Sequence, residues 1–482
     1  MFIVLPNQLY ETLDTIHASK QDKVYIIEEP LFFYDKQRPL HYNKIKLAYL
    51  VACMRYYYDY LKQLKSINVV YVEYDKVNAW VDTLDIKEYI HMYKPSDKDV
   101  YNKFKRFANV HWYDTPAFLM SSQDLNEYHK QINASKMMVH AQFYNYVKTK
   151  LKILKGIPSQ DKNNRASLPM GFANDFHEPR YGPQMYYTNA IAYINNHPRF
   201  KNNQGSCDKL HTWPITFKDA KHAFHVFIKE RFHHFGKYQD AFDVNNPFLF
   251  HSFISPMLNI GLLCPAYIVN ETLKVKSDIA NTEGFLRQLV GWREYMHYLY
   301  EYHYDDIITS NHFDSNRRFA NVIWKSQTFG LVPLDSEIQK GITYGYSHHI
   351  IRLMIFLNMF VMLQIHPDDV YKWFMENIAM DAYDWVMKTN IYCMGWYFTR
   401  AMTKPYISTS NYLVKMGNYP KGEWCKVWDA MFYTFLTNNK SKLTGGSRVY
   451  LRNLAYYENL PANKQSEMQT TAKKFIESCT RL

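Results

Sequence analysis

Six cysteines in 482 residues, with no C-x-x-C pair among them, exclude a disulfide framework and a zinc-finger signature. Cys53, Cys207, Cys264, Cys393, Cys425 and Cys479 are scattered along the chain and read as buried, reduced thiols. No stretch reaches the run of about 18 apolar residues that a membrane span needs. The opening Met-Phe-Ile-Val-Leu-Pro is too short and uncharged for a secretory leader, so the chain reads as intracellular. There is no G-x-G-x-x-G, which leaves a classical dinucleotide site unsupported. No internal repeat or low-complexity tract is visible.

Acidic residues are in deficit. Lys and Arg number 57 against 45 Asp and Glu, a formal charge of +12. Such a surplus favours a polyanionic partner through counterion release, without choosing between DNA, RNA and an anionic membrane. Hydrophobic residues at 47% and charged residues at 21% suit a globular protein with a sizeable core. Aromatic residues reach 17%. That suits stacking on a planar ligand or on unstacked bases. An AT-rich coding genome would raise tyrosine in the same way.

The first 115 residues alternate short β-rich runs (2–5, 24–28, 69–74 and 110–113) with helical stretches. Leu47, Val51, Met54, Tyr58 and Leu61 follow a 4-3-4-3 spacing that predicts a strong helix between the second and third runs. Strands separated by helices imply a parallel sheet. From about 155 to 212, Gly and Pro punctuate a polar stretch that reads as a long connection. From Trp213 the pattern is helical almost to the end, with 348–363 apolar nearly all round and Pro367 opening the next helix. The expected architecture is an α/β N-terminal domain with a parallel, Rossmann-like sheet (1–130), an interdomain linker with short helices (131–212) and a large all-α domain (213–482).

Local chemistry says little by itself. Ser252 and Ser255 before Pro256 offer hydroxyls and free amides to a phosphate, but equally describe a plain helix cap. Trp292-Arg293-Glu294-Tyr295 reads as an ion pair beside a core aromatic, and His348-His349 as a satisfied core pair.

Order and spacing say more. The strings FGKYQDAF (235–242), FHSFISPMLNIGLL (250–263), EGFLRQLVGWREY (283–295), SHHIIRLM (347–354), DAYDWVMKTN (381–390) and TKPY (403–406) run in one order. PNQL (6–9), HYNKIKLAYLVACMR (41–55) and DKNNRASLP (161–169) precede them. Block by block the chain resembles the bacterial iron–sulfur branch of the photolyase/cryptochrome superfamily, which includes the prokaryotic (6-4) photolyases. Nearly the whole chain is covered.

The resemblance implies FAD in the helical domain. Tyr238, Ser252, Ser255 and Pro256 match the phosphate and ribityl cradle. Gln288, Trp292, Arg293 and Glu294 match the wall between flavin and lesion. Asp381, Asp384 and Asn390 fall where the family faces the isoalloxazine, Arg352 is a further cofactor contact, and Trp324 and Trp385 match the family's electron-supplying aromatic chain. His349, beside His348, matches the histidine that (6-4) photolyases use to shuttle a proton. Breaking a (6-4) adduct moves a hydroxyl between bases, and imidazole can give and take the proton. Asp161 and Arg165 match a pair near the lesion and an associated Mg²⁺, with Lys404 and Tyr406 as further DNA contacts. Their other reading is an i,i+4 ion pair. By position, Asn7, Gln8 and Glu29 would contact an antenna chromophore of lumazine or folate type.

One part of the family pattern is missing. The family holds an iron–sulfur cluster on four cysteines, and here Val332, Pro420 and Glu423 stand at three of those places, with only Cys425 near the fourth. No cluster is expected, and Trp424, Trp428 and Phe432 are expected to close its space. The leading expectation is a monomeric, FAD-dependent, light-driven repair enzyme for UV-damaged DNA, most of all (6-4) photoproducts, working in cytoplasm, nucleoid, nucleus or virion. A cyclobutane-dimer photolyase and a cryptochrome-like blue-light receptor are the alternatives. A light-independent, nucleic-acid-binding scaffold that has lost its flavin is a third, opposed by the intact 252–256 and 381–390 blocks.

Overall fold

The computed structural model describes every residue except 21–22, 65–66, 133–136, 170–171, 173–176, 326, 328–329, 379, 444–447 and 482. Five short strands form the N-terminal sheet: β1 (Phe2–Val4), β2 (Lys23–Ile27), β3 (Asn68–Val72), β4 (Tyr89–Tyr93) and β5 (Asn109–Tyr113). All pairs are parallel, in the order β3-β2-β1-β4-β5. β1 is buried on both faces, so it reads as an unbroken apolar run. β4 is the strand that the sequence reading did not separate. Its Tyr-Ile-His-Met-Tyr buries Ile90 and Met92 in alternation, but over too few residues to stand out.

The 4-3-4-3 spacing corresponds to the helix Lys44–Lys62, capped by the Asn43 side chain, which accepts from Ile45 N. The Asn43 amide donates to Ile342 O and Asn377 O, so this cap also joins the α/β region to the helical region. A second helix, Gln184–Asn196, lies in the connection and packs against Lys44–Lys62.

In a sheet of this order the usual ligand crevice lies outside the carboxyl ends of β1 and β4, where the chain reverses direction. Here it is occupied by the protein itself. Gln8 Nε2 donates to Tyr93 O (3.1 Å), and Leu9 N donates to Ile260 O (3.0 Å) in the helical region. The open space lies instead among the helices.

Pro367 opens the helix Pro367–Asn377, and His366 caps it by accepting from Asp368 N. The apolar 348–363 segment is helical with a π-helical section, Arg352–Leu357, in its middle. A second π-helical section covers Arg287–Arg293. Such wide turns recur at functional sites because they re-aim side chains without ending the helix. Among the described residues no helix is long and apolar enough to cross a membrane.

Candidate functional site

A cavity of ≈ 290 Å³ lies inside the helical region, and both π-helical sections form part of its wall. Arg287–Arg293 contributes Gln288, Leu289, Trp292 and Arg293, and Arg352–Leu357 contributes Arg352, Leu353 and Leu357. Phe253 adopts φ +64°, a left-handed conformation that an aromatic residue holds only under constraint. It lies between Ser252 and Ile254, both of which, with Ser255, line the cavity.

Asp381 is the hub of the polar wall. One carboxylate oxygen accepts from Ser255 Oγ (2.6 Å) and the other from Arg352 Nη2 (2.6 Å). Its carbonyl accepts from Asn259 Nδ2 (2.7 Å), and Asn259 Oδ1 accepts from Arg293 Nη1. Arg293 also donates to Ala117 O and stacks its guanidinium over Trp385 at 5.0 Å. Burial lowers its pKa to about 10. From the other side the buried Lys46 donates to Ala382 O between the rings of Tyr42 and Tyr383. Burial pushes that lysine down to about 7.

Three histidines line the same space. His251 and His348 stack face to face, with ring centroids 3.8 Å apart and planes 12° apart. His251 Nε2 donates to Gln239 O, which leaves its Nδ1 an acceptor. That atom and His348 Nδ1 are both buried without a partner. His349 is different. Among the described residues it makes no hydrogen bond, ion pair or ring stack, and its surface is exposed where it borders the cavity. The surrounding protein, and after it the Arg352 guanidinium, lower its pKa to about 4.

The structure therefore brings His348, His349, Trp385, Ser252, Ser255, Gln288, Trp292, Arg293, Arg352, Asp381 and Asn390 to one cavity. Trp292 is fixed there by stacking on His140 (3.9 Å, 11°). Four expected cofactor contacts lie elsewhere. Glu294, 0% exposed, turns away to accept from Leu119 N and Met120 N, and burial raises its pKa to about 7. Asp384 accepts from Tyr300 and Tyr371 and lies 3.4 Å from Arg38, in a buried polar cluster against the α/β region. Pro256 is buried in the first turn of the helix Ser255–Ile260 without bordering the cavity. Tyr238 stacks on Phe250 (5.4 Å) and borders a neighbouring cavity of ≈ 490 Å³ that also touches Ser252.

Trp324 does not join Trp385. Its ring meets Phe319 (6.1 Å), which meets the fully buried Trp373 (6.5 Å), which meets the cavity residue Phe374 (5.2 Å). Trp373 was missed because Tyr-Lys-Trp-Phe on an amphipathic helix reads as ordinary core. His251 lies in the segment 250–263, directly before Ser252, and its pairing with His348 is visible only in three dimensions.

Asp161 gives one oxygen to Arg287 (2.9 Å) and the other to Arg165, so both are engaged by guanidinium groups. This fastens the 161–165 segment beside the cavity residue Asp240, whose pKa burial raises to about 6. The same cluster of charges acts on Tyr406, whereas Lys404 is exposed. Among the described residues no group of three or more His, Cys, Asp or Glu side chains is placed to hold a metal ion. Val332 (43%) and Glu423 (85%) are exposed, as is Pro420. Trp424, Trp428 and Phe432 are buried, with Trp424 packed edge-on to Trp428 (6.4 Å). In the α/β region Glu29 pairs with Lys103 (2.8 Å) and Gln8 bridges strands, while Asn7 Oδ1 is buried without a partner.

His297 gives a pH test of this packing. It stacks flat on Phe118 (3.5 Å, 2°), and burial lowers its pKa to about 4. A folded-state value below the ordinary 6.5 means stability is fully present above pH 6.5 and is lost as pH falls toward 4. His297→Phe should keep the stack and remove that loss. Its advantage over wild type, read by denaturant titration, should grow to about 3 kcal/mol at the acid end. An unchanged pH dependence would place the acid lability elsewhere.

The cavity fits a flavin nucleotide. It has aromatic walls, a paired guanidinium–carboxylate edge, the hydroxyls of Ser252 and of the Asp381-bound Ser255 in one segment, and buried histidine nitrogen atoms without a partner.

Residues 2–212 match the family described as deoxyribodipyrimidine photo-lyase-related protein. A (6-4) photolyase of Agrobacterium fabrum is 25% identical over 99% of both chains. A short uncharacterised protein of Acanthamoeba polyphaga mimivirus, R855, is 46% identical over 20% of this chain and 81% of its own length. Among solved structures, the fold is similar to a bacterial class III photolyase from Agrobacterium tumefaciens (TM-score 0.56, 13% identity, 99% and 98% covered). It is also similar to a Synechocystis cryptochrome (TM-score 0.59, 11% identity, 99% and 98% covered).

Proposed function

We propose that the chain is a photo-lyase-related member of the photolyase/cryptochrome superfamily and that it repairs UV-damaged DNA with light and FAD, acting on (6-4) photoproducts. The observation that carries the lesion assignment is His349, a histidine that borders the cavity and has no partner of its own among the described residues. Bound in the cavity, FAD would supply the light-driven electron. The residues that would hold it are Ser252, Ser255, Asn259, Arg293, Arg352 and Asp381. A poorly stacked, damaged dinucleotide is cheap to flip out of duplex DNA. It would enter past Gln288, Trp292 and Asn390, with the imidazole of His349 taking and returning the proton that the hydroxyl transfer requires.

The +12 charge suits a monomer working on DNA inside the cell or in a virion. Asp161, Arg165, Lys404 and Tyr406 would meet the damaged strand. A Mg²⁺ there would first have to displace a guanidinium from Asp161. Asn7, Gln8 and Glu29 are engaged or enclosed, so an antenna of lumazine or folate type would need the α/β region to rearrange.

The test is direct. Purified protein should carry flavin absorption bands, no broad iron–sulfur band and less than one iron per chain. Under blue light it should restore an oligonucleotide carrying a (6-4) photoproduct. Repair confined to cyclobutane dimers would overturn the lesion assignment. Repair of neither lesion with normal photoreduction would make the protein a receptor.

A further inference from the structure

With Asp240 ionised, above about pH 6, the described walls of the cavity carry no net charge. Among its described lining residues Asp240 and Asp381 are balanced by Arg293 and Arg352. Arg352 is already paired with Asp381. A flavin dinucleotide brings a diphosphate with two negative charges, and burying them against a neutral wall is strongly unfavourable unless a counter-charge arrives with them. The lining groups able to gain positive charge are the three histidines, and two of these form the stacked pair His251–His348.

That pair is built to accept one proton and refuse a second. Each ring holds a buried Nδ1 without a partner. The His251 tautomer is fixed by Nε2 donating to Gln239 O, so its Nδ1 carries a lone pair. Two imidazolium rings at 3.8 Å, face to face, would repel strongly, so the pair titrates as a unit. The charged groups facing it act in one direction. Arg231, directly after the helix Phe217–Glu230, acts on His251, while Lys340, Arg352 and His349 act on His348. With burial, and against the Gln239 and Phe248 carbonyls that favour a protonated His251, they hold His251 at about 4 and His348 well below the usual histidine range. Asp381 is the nearby carboxylate, and it is engaged by Ser255 and Arg352. Asp240 feels Arg165, Asp161 and Arg287 on the linker side, whereas His251 is the neighbour of Ser252 in the phosphate-type turn.

We propose that the His251–His348 pair takes up one proton from solvent when the diphosphate of a flavin nucleotide enters, so that phosphorylated flavins bind as proton-coupled ligands. This rests on the FAD reading given above. The proton goes to an Nδ1 of the pair, and no covalent bond forms or breaks.

Calorimetric titration of FAD into the full-length, flavin-free chain at about pH 6, in two buffers of different ionisation enthalpy, counts the protons. Between half and one proton should be taken up with FAD, and none with riboflavin, which has the ring system and no phosphate. The double variant His251→Gln/His348→Gln should bind FAD more weakly with uptake abolished. If that variant does not fold, the FAD dissociation constant of the wild-type holoprotein, read by flavin fluorescence, should weaken toward about tenfold per pH unit between pH 5 and 6.5. FAD binding without proton uptake and without that pH dependence would overturn the inference, as would equal uptake with riboflavin. Undiminished uptake in the double variant would move the proton to Asp240 and overturn the assignment to the pair. A chain that binds no FAD would sink the flavin reading, and the inference with it.

Discussion

His349→Ala is expected to lower (6-4) repair by about 10²- to 10⁴-fold, the usual contribution of a general acid–base group, while flavin content and photoreduction stay at the wild-type level. The cost falls on chemistry because the His349 ring supports little else. It accepts and donates no hydrogen bond among the described residues, stacks on no ring, and meets open space in the cavity. Truncating such a side chain leaves no orphaned partner, so the stability change should stay within about 0.5 kcal/mol. His348, beside it, would behave differently. It is buried, stacked on His251, and its loss would disturb the cavity wall.

The state of the ring decides how it starts. With its pKa lowered to about 4, His349 is neutral at pH 7, so in the proposed cycle it would start as the proton acceptor. If alanine instead released the flavin together with the activity, His349 would be a packing residue. The assay illuminates wild type and variant with each lesion supplied separately in an oligonucleotide. A variant that still repairs (6-4) lesions at the wild-type rate would remove His349 from the mechanism.

The sequence made the cavity legible where chemistry is written in consecutive residues. Ser252, Ser255, Arg293, Arg352, Asp381 and Trp385 are all within ordered strings, and all border the space. It misled where two neighbours in a string were assumed to face one way. Successive residues on a helix point about 100° apart, so Glu294 turns from the cavity that Arg293 lines. Asp384 likewise turns from the one that Trp385 lines. The two π-helical sections were illegible for a related reason. A π turn is a change in backbone hydrogen bonding under an unchanged apolar pattern, so spacing cannot reveal it. The alternating strand–helix order was readable on both sides of β4, which alone among the five strands did not stand out. The long helix between the second and third runs was readable because five apolar positions over four turns leave few alternatives.

Trp373→Phe should slow photoreduction of the bound flavin by about tenfold or more, equivalent to raising the barrier by at least 1.4 kcal/mol, and Trp385→Phe should have the smaller effect. The difference lies in what surrounds each indole. Trp385 borders the cavity, but the Arg293 guanidinium sits over its face at 5.0 Å. A fixed positive charge there stabilises the neutral ring and disfavours the radical cation that electron donation would leave. The rings packed around Trp373 are phenylalanines: Phe356 (5.2 Å), Phe360 (5.0 Å) and Phe374 (5.2 Å). Through Phe319 it is also one ring removed from the half-buried Trp324, which can be re-reduced from solvent. Phenylalanine fills most of the same space and is far harder to oxidise, so the route is cut with a stability loss of about 1–3 kcal/mol from the smaller ring. Flavin absorption before illumination reports whether the cofactor is retained, and its bleaching under blue light with an external reductant reports the rate. Equal slowing by the two variants would mean that both indoles feed the flavin. A rate lost in Trp385→Phe and kept in Trp373→Phe would place the donor on the cavity wall, Arg293 notwithstanding.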